Sequence, residues 1–192
     1  MITSIDENSA LILIDFQYMN TRRELVHPAL EVLTHAARLA KAFRRHDQLV
    51  VVVNVNPFNA PWMKTRKEPQ APMPAITADV FEIDERLGAE YGDLHITKRN
   101  WNTFFETGLD EHLRTQGITG IVLAGIATRI GVEGTARAAS ELGYNISFAT
   151  DAMTDISMES HQNCLTQLFP RLGELGTSDE IIARMQHKNV LR

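Results

Sequence analysis

Two charged residues each follow an apolar segment typical of a buried strand. Asp15 comes directly after the run at residues 10–14, and Lys98 follows the run at residues 94–97. The carboxyl ends of parallel strands meet at one edge of an open sheet, where α/β proteins bind ligands. Burial there raises the pKa of a carboxyl and suits it to acid–base chemistry. We therefore predict that Asp15 and Lys98 share a candidate active site; the alternatives are a turn cap and a solvated strand-end charge.

A third feature is a strand that runs into a helix through small residues, at positions 123–133. The first N–H groups of a helix have no partner within the helix, so they can bind an anion or a developing oxyanion. Gly131 lies in this turn. We expect the turn to face the same edge of the sheet as Asp15 and Lys98.

The elements that must position these residues alternate between strands and helices. Five apolar runs are mostly continuous, as in strands covered on both faces, and lie at residues 10–14, 49–53, 94–97, 120–124 and 146–149. Apolar residues at helical spacing follow at 30–43, 109–113, 132–142, 157–169 and 178–185, and Pro170 is expected to end the fourth of these helices. The pattern predicts an α/β fold with a mostly parallel sheet. Residues 57–93, with a short helix expected at 80–88, form a long loop that is either functional, an interface element or a solvated connector.

Composition excludes several classes of protein. The 192 residues fit one domain, 1–192, and the 19 Lys and Arg against 24 Asp and Glu give a net charge of -5. No basic stripe indicates nucleic-acid binding, and no apolar run approaches the roughly 20 residues that span a membrane. The single cysteine, Cys164, makes no internal disulfide and is expected to be a small buried apolar residue. With no signal segment at the start, we expect a cytoplasmic protein.

Three segments together resemble one known family. They are residues 13–17, 96–109 and 125–137, with further similarity at 142–144 and 151–153. In order and spacing they are similar to the isochorismatase-like hydrolase superfamily, also called cysteine hydrolases, which includes nicotinamidases, N-carbamoylsarcosine amidases and isochorismatases. The resemblance implies a Rossmann-like, three-layer αβα sandwich and a homodimer or higher homo-oligomer.

The resemblance also implies roles for particular residues. Asp15 and Lys98 match two members of the family's catalytic triad, and Ile126-Ala127 matches a cis peptide that shapes the oxyanion site. Gly131 stands where the amidase members carry their nucleophilic cysteine, so the acyl-enzyme route through a thiol is not available to this chain. Isochorismatases proper also resemble this pattern with glycine there.

A glycine at this position favours a reaction without a side-chain nucleophile. Hydrolysis of a vinyl ether such as isochorismate needs one acid that protonates the alkene carbon, after which water attacks the oxocarbenium ion. We predict Asp15 as the acid and Lys98 as the group that sets its protonation or orients the substrate. Gly131, at the helix N-terminus, is expected to bind a substrate carboxylate or oxygen. The alternatives are an amidase or imidase that uses water activated by Asp15, and a degenerate member that only binds a ligand.

Further candidates surround these positions. Gln17, Trp101 and Phe104 are predicted to line the pocket, with core packing as the alternative for Trp101, and Arg129 is a candidate for binding an anionic substrate. His161 is a weaker candidate, and Lys64, Arg66 and Lys67 could form a lid. Residues 54–58 lack the Asp and His that nicotinamidases use as metal ligands. We therefore expect a small-molecule substrate, no cofactor and no catalytic metal.

Overall fold

The core of the fold is a sheet of six parallel strands in the order β3-β2-β1-β4-β5-β6. The computed structural model describes residues 1–58, 60–68 and 77–190, without the side chains of residues 78 and 187–190. Within these ranges the strands are β1 (Ser9–Ile14), β2 (Leu49–Val55), β3 (Leu94–Lys98), β4 (Gly120–Ile126), β5 (Asn145–Thr154) and β6 (Glu174–Gly176).

Helices connect the strands and cover both faces of the sheet. They are α1 (Tyr18–Thr21), α2 (Ala29–Arg45), α3 (Leu109–Thr115), α4 (Glu133–Glu141), α5 (Met158–Asn163) and α6 (Ser178–Val190). Short 3₁₀ turns lie at Pro61–Lys64, Ala78–Phe81, Glu85–Leu87 and Phe169–Arg171, and wider π-type turns at Thr128–Val132 and Cys164–Leu168. No described helix is long and apolar enough to cross a membrane.

Strand β1 shows how the sheet divides the core into two layers. Leu11 and Leu13 point to the layer formed with α2 and α6, whereas Ile12 and Ile14 point to the layer under α3 and α4. All four side chains are buried, which is why the strand is continuously apolar. The predicted α/β fold with a parallel sheet and three layers is thus confirmed.

The strand order places the end of β1 at a topological switch point. The chain passes from β1 to β2 and β3 on one side, and then crosses β1 to form β4, β5 and β6 on the other. Connections therefore leave β1 and β4 in opposite directions and open a crevice at their carboxyl ends. Asp15 follows β1, and the Thr128–Val132 turn follows β4.

Several elements differ from their predictions. The predicted helix at 157–169 is divided into α5, a π-type turn and a 3₁₀ turn, and Pro170 lies within the last, where its missing N–H costs nothing. The expected helix at 80–88 is two 3₁₀ turns, and β6 was not predicted at all. Residues 59 and 69–76 of the long loop lie outside the described residues.

We expect the layer around β5 to carry much of the stability. Phe148 and Phe169 are both fully buried, and their rings stack with centroids 4.0 Å apart. Phe148→Ala should lower the free energy of unfolding by about 3–5 kcal/mol, because it leaves a cavity beside Phe169. Urea denaturation measures this, with Phe105→Ala as the control because Phe105 is exposed. Equal losses in the two variants would contradict the packing described.

Candidate active site

Asp15 is held in an uncommon backbone conformation at the end of β1. Its φ is +56°, a left-handed value that aspartate tolerates better than most residues. The Asp15 N–H donates to the carbonyl oxygen of Val53 at 2.9 Å. The carbonyl oxygen of Asp15 accepts a hydrogen bond from the side-chain amide of Asn20 at 2.8 Å. These bonds turn the chain sharply out of the sheet and leave the carboxyl in the crevice.

The Asp15 carboxyl forms a buried ion pair with Lys98. Lys98 Nζ lies 2.8 Å from Asp15 Oδ2, and the two side chains are only 2% and 7% exposed. The ammonium also donates to the carbonyl oxygen of Asn100 at 3.2 Å. Asp15 Oδ1 is buried and has no hydrogen-bond partner among the described residues.

Burial raises the pKa of Asp15, because a desolvated carboxylate is unfavourable. The nearby charge and hydrogen bond of Lys98 oppose this rise but do not cancel it. The carboxyl therefore retains a proton at higher pH than an exposed aspartate does. A carboxyl in this environment is suited to the role of general acid.

Gly131 approaches the carboxyl so closely that a side chain would not fit. A Cβ atom at this position would lie 2.9 Å from Asp15 Oδ2 and 2.9 Å from Ile14 Cγ2. Because Lys98 holds Oδ2, that oxygen is not free to move away. Glycine thus allows the Thr128–Val132 turn to lie against the Asp15 carboxyl without displacing it.

Polar groups on β5 and in the loop after it hold the turn that carries Gly131. The Ile126–Ala127 peptide bond before the turn is cis. Thr128 Oγ1 donates to the carbonyl oxygen of Thr154 at 3.0 Å, and the Arg129 N–H donates to Asp155 Oδ2 at 2.9 Å. The turn is therefore fastened to the neighbouring segment independently of any ligand.

The structure gives Arg129 and His161 partners within the protein. The Arg129 guanidinium lies 3.5 Å from the buried carboxylate of Asp155 and donates to Ser160 Oγ at 3.1 Å. His161 Nδ1 lies 2.9 Å from Thr128 Oγ1, and burial lowers the pKa of its imidazole. The charge of Arg129 thus balances Asp155, and its role in binding an anionic substrate stays a prediction.

Gln17 has a different place from the pocket wall that we predicted. It is fully buried, and its side-chain oxygen accepts from the Val55 N–H at 2.7 Å. Its amide donates to the carbonyl oxygens of Val55 and Phe81, at 3.1 and 2.7 Å. Gln17 therefore joins β2 to the Ala78–Phe81 turn, and this use of its amide corrects the prediction.

The aromatic candidates lie apart from each other. Trp101 is 57% exposed and packs edge-on against Trp62, with ring centroids 6.1 Å apart, so the core-packing alternative is wrong. Phe104 stacks on Tyr144 at 5.7 Å. Pocket-wall roles for both residues stay predictions.

The remaining candidates are a basic cluster and a thiol. Lys67 Nζ bonds the carbonyl oxygen of Trp62 and lies 5.4 Å from its ring centre, whereas Lys64 and Arg66 are exposed. Cys164 is buried, and burial together with Glu133 raises the pKa of its thiol to about 12. Such a thiol is not a nucleophile at ordinary pH. Across the described ranges, no group of three or more His, Cys, Asp or Glu side chains is placed to hold a metal ion.

Three residues at the site were missed by sequence reasoning: Asn20, Asn100 and Asp155. Asn20 bridges the carbonyl oxygens of Asp15 and Ile126, at 2.8 and 3.4 Å. No periodicity marks such contacts, because each depends on where a loop folds back. Only the position of Asn100, two residues beyond Lys98, was a signal available in the sequence.

Comparison with known proteins identifies the family of this chain. The family model described as the isochorismatase domain matches residues 9–180. The chain belongs to the isochorismatase family. It is 38% identical to the uncharacterized isochorismatase family protein YwoC of Bacillus subtilis, over 94% of this chain and 95% of that protein. The protein is thus an isochorismatase-family hydrolase.

Two solved structures show the extent of the structural similarity. An isochorismatase family protein from Burkholderia thailandensis superposes with a TM-score of 0.90 at 33% identity, covering 97% of this chain and 100% of that chain. An N-carbamoylsarcosine amidase from Thermoplasma acidophilum superposes with a TM-score of 0.71 at 26% identity, covering 91% and 98% of the two chains. The fold of the family therefore extends over nearly the whole chain.

Because Asp15 and Lys98 form a buried pair, we expect the free energy of unfolding to depend on pH. A carboxyl whose pKa is higher in the folded than in the unfolded protein weakens the fold as pH rises through that pKa. Lys98→Met removes the cation that opposes this rise, so the pKa of Asp15 should rise further. We expect a loss of about 3–5 kcal/mol at pH 8 and a smaller loss at pH 5.

Urea denaturation at both pH values measures this effect. Lys41→Met is the control, because Lys41 is an exposed lysine on α2. A loss for Lys98→Met that is the same at both pH values, or larger at pH 5, would contradict the raised pKa of Asp15.

Proposed function

We propose that this isochorismatase-family hydrolase cleaves the vinyl ether of an isochorismate-like small molecule, with Asp15 as the general acid. The observation that carries the proposal is the buried Asp15 carboxyl, with one oxygen on Lys98 and the other without a partner. A group that must give up a proton needs a raised pKa and space for its substrate. Burial supplies the first, and the lack of a side chain at Gly131 keeps the Asp15 carboxyl from being crowded.

The proposed reaction consumes one water. Asp15 gives its proton to the terminal alkene carbon, and the ether oxygen stabilises the cation that forms on the neighbouring carbon. Water adds to that carbon, and its proton returns the Asp15 carboxylate to the acid. The bond from the hemiketal carbon to the ring oxygen then breaks as the hemiketal hydroxyl proton passes to that oxygen, which gives pyruvate and the free alcohol. Each proton that Asp15 gives is thus replaced in the same cycle.

Lys98 lowers the free-energy difference between the protonated and the ionised form of the Asp15 carboxyl. When Asp15 loses its proton, the carboxylate is left in a buried site and would be strongly unfavourable alone. The ammonium at 2.8 Å stabilises that carboxylate, and its bond to the Asn100 carbonyl oxygen keeps it in place. Lys98 thus lets a buried acid ionise during the reaction.

The alternative within the family is an amidase or imidase that uses water. It is supported by the likeness to an N-carbamoylsarcosine amidase. Activation of water needs Asp15 as a carboxylate, and burial makes that form less favourable than in an exposed aspartate. The vinyl ether is therefore the better match, and a panel of amides and cyclic imides tests the alternative. Binding without any turnover would identify a degenerate member.

We also propose that the protein is a homodimer or higher homo-oligomer in the cytoplasm. Several large apolar side chains are exposed in the loops and turns that follow β2, β3 and β4, namely Phe58, Trp101, Phe105 and Ile130. Exposed large apolar side chains are often buried where two protein subunits meet. Analytical ultracentrifugation measures the number of subunits.

Replacement of Asp15 tests its role as the acid. Asp15→Asn keeps the size of the side chain and tolerates the left-handed backbone, but it has no carboxyl proton to give. We expect isochorismate-dependent pyruvate formation to fall by at least about 100-fold. In the unmodified protein, kcat/KM should fall as pH rises through the raised pKa of Asp15.

The matched control is Asp47→Asn. Asp47 also has a left-handed backbone, with φ +53°, but is exposed after α2. Pyruvate formation should be unchanged in this variant. Equal turnover in Asp15→Asn and the unmodified protein would refute the assignment of Asp15.

Substitution of Gly131 tests the need for space beside the carboxyl. Gly131→Ala places a Cβ about 2.9 Å from Asp15 Oδ2, so we expect pyruvate formation to fall by at least about 10-fold. Gly134→Ala, three residues along, is the control, because its Cβ meets nothing closer than 3.5 Å. That variant should retain activity and gain stability, since alanine favours a helix. Full activity in Gly131→Ala would show that the space is not used.

A further inference from the structure

Two residues that accept hydrogen bonds from the Lys98 ammonium each carry a buried polar atom without a partner. In the described part of the chain, the buried side-chain polar atoms without a partner are Asp15 Oδ1 and Asn100 Nδ2. Lys98 Nζ bonds to the carboxyl of Asp15 and to the main-chain oxygen of Asn100. Buried polar groups are nearly always paired, so an unpaired donor beside an active site calls for a functional explanation.

The loop between β3 and α3 does not need the Asn100 side-chain amide for its own structure. The neighbouring Asn102 performs that task, since its side-chain oxygen accepts from the N–H groups of Phe104 and Phe105 at 2.9 and 2.7 Å. Asn100 is connected to Lys98 through its main chain, so its side chain is left without a structural bond.

Asn100 also borders a space large enough for part of a ligand. A cavity of about 270 Å³ is lined by Asn100, Arg99, Phe105, Thr97 and Glu106. Arg99 and Glu106 bring one positive and one negative charge to this lining, so its charge does not select a ligand. The unpaired N–H donor of Asn100 favours a group that carries an acceptor oxygen, such as a carboxylate or carbonyl.

We propose that the Asn100 side-chain amide, in a residue that Lys98 contacts, is a specificity-determining group that donates a hydrogen bond to a carboxylate or carbonyl oxygen of the substrate. In isochorismate that oxygen belongs to the enolpyruvyl carboxylate, and this choice rests on the proposed function. A substrate without an acceptor there leaves the amide unpaired and is disfavoured. The donor is neutral, so its contribution does not vary with pH.

The stability of two variants tests whether the donor is truly unpaired. Asn100→Leu replaces the amide by an apolar side chain of similar size, and we expect an unfolding midpoint equal to or above that of the unmodified protein. Asn102→Leu removes two hydrogen bonds and should lower the midpoint. A midpoint of Asn100→Leu that falls as far as that of Asn102→Leu would show a structural bond and overturn the proposal.

Binding tests the role of the donor without turnover. Isochorismate is titrated by calorimetry into Asp15→Asn and into the double variant Asp15→Asn with Asn100→Leu. We expect the double variant to bind about 10- to 100-fold more weakly, as for loss of a hydrogen bond to a charged oxygen. In the otherwise unmodified protein, Asn100→Leu should raise KM far more than it lowers kcat. Equal affinities in the two proteins would overturn the proposal.

A wrong substrate assignment can be distinguished from a wrong role for Asn100. If the unmodified protein neither binds nor hydrolyses isochorismate, the vinyl ether assignment is wrong, and Asn100→Leu is compared on the amide and imide panel. A fall in kcat/KM of about 10-fold or more for any hydrolysed compound then supports the role of Asn100, and an unchanged value overturns it. If no compound is hydrolysed, the stability comparison decides.

Discussion

The ion pair between Asp15 and Lys98 is the interaction on which the site depends. Lys98 ends β3 at the edge of the sheet, and β2 lies between it and β1. Two strand spacings amount to about 10 Å, a distance that the long lysine side chain helps to span. Both groups are buried, so the carboxylate that Asp15 forms when it loses its proton is tolerable only because the Lys98 ammonium lies beside it. The strand order and the register of β1, β2 and β3 together place the two side chains in contact.

The sequence predicted the parts of the site that follow buried strands. Asp15 was identifiable because a continuous, buried apolar run marks the end of β1. β3 instead alternates, with His95 and Thr97 exposed, so Lys98 was identifiable only from its place after Ile96 and Thr97 and from the edge that the strand ends share. The roles of Gln17 and Arg129 were not predictable, since their partners Val55, Phe81 and Asp155 are brought near by loops and turns. Likewise β6, with three residues, is too short to show a pattern and forms because it pairs with β5.

Several features of the candidate active site lower the stability of the folded protein. Asp15 Oδ1 and Asn100 Nδ2 are buried without partners, and Asp15 has a left-handed backbone. Each feature costs free energy, and the rest of the fold offsets that cost through well-packed layers on both faces of the sheet. The same unpaired atoms are available for a substrate, which links the local loss of stability to binding and proton transfer.

The pKa of Asp15 in the intact protein is the most direct test of its role as an acid. Carbon-13 NMR of the side-chain carboxyl, assigned by the peak that Asp15→Asn removes, measures it without any substrate. We predict a midpoint above the roughly 3.9 of an unperturbed aspartate. A midpoint at or below that value would show that Lys98 outweighs burial, and would contradict the role of Asp15 as a buried proton donor.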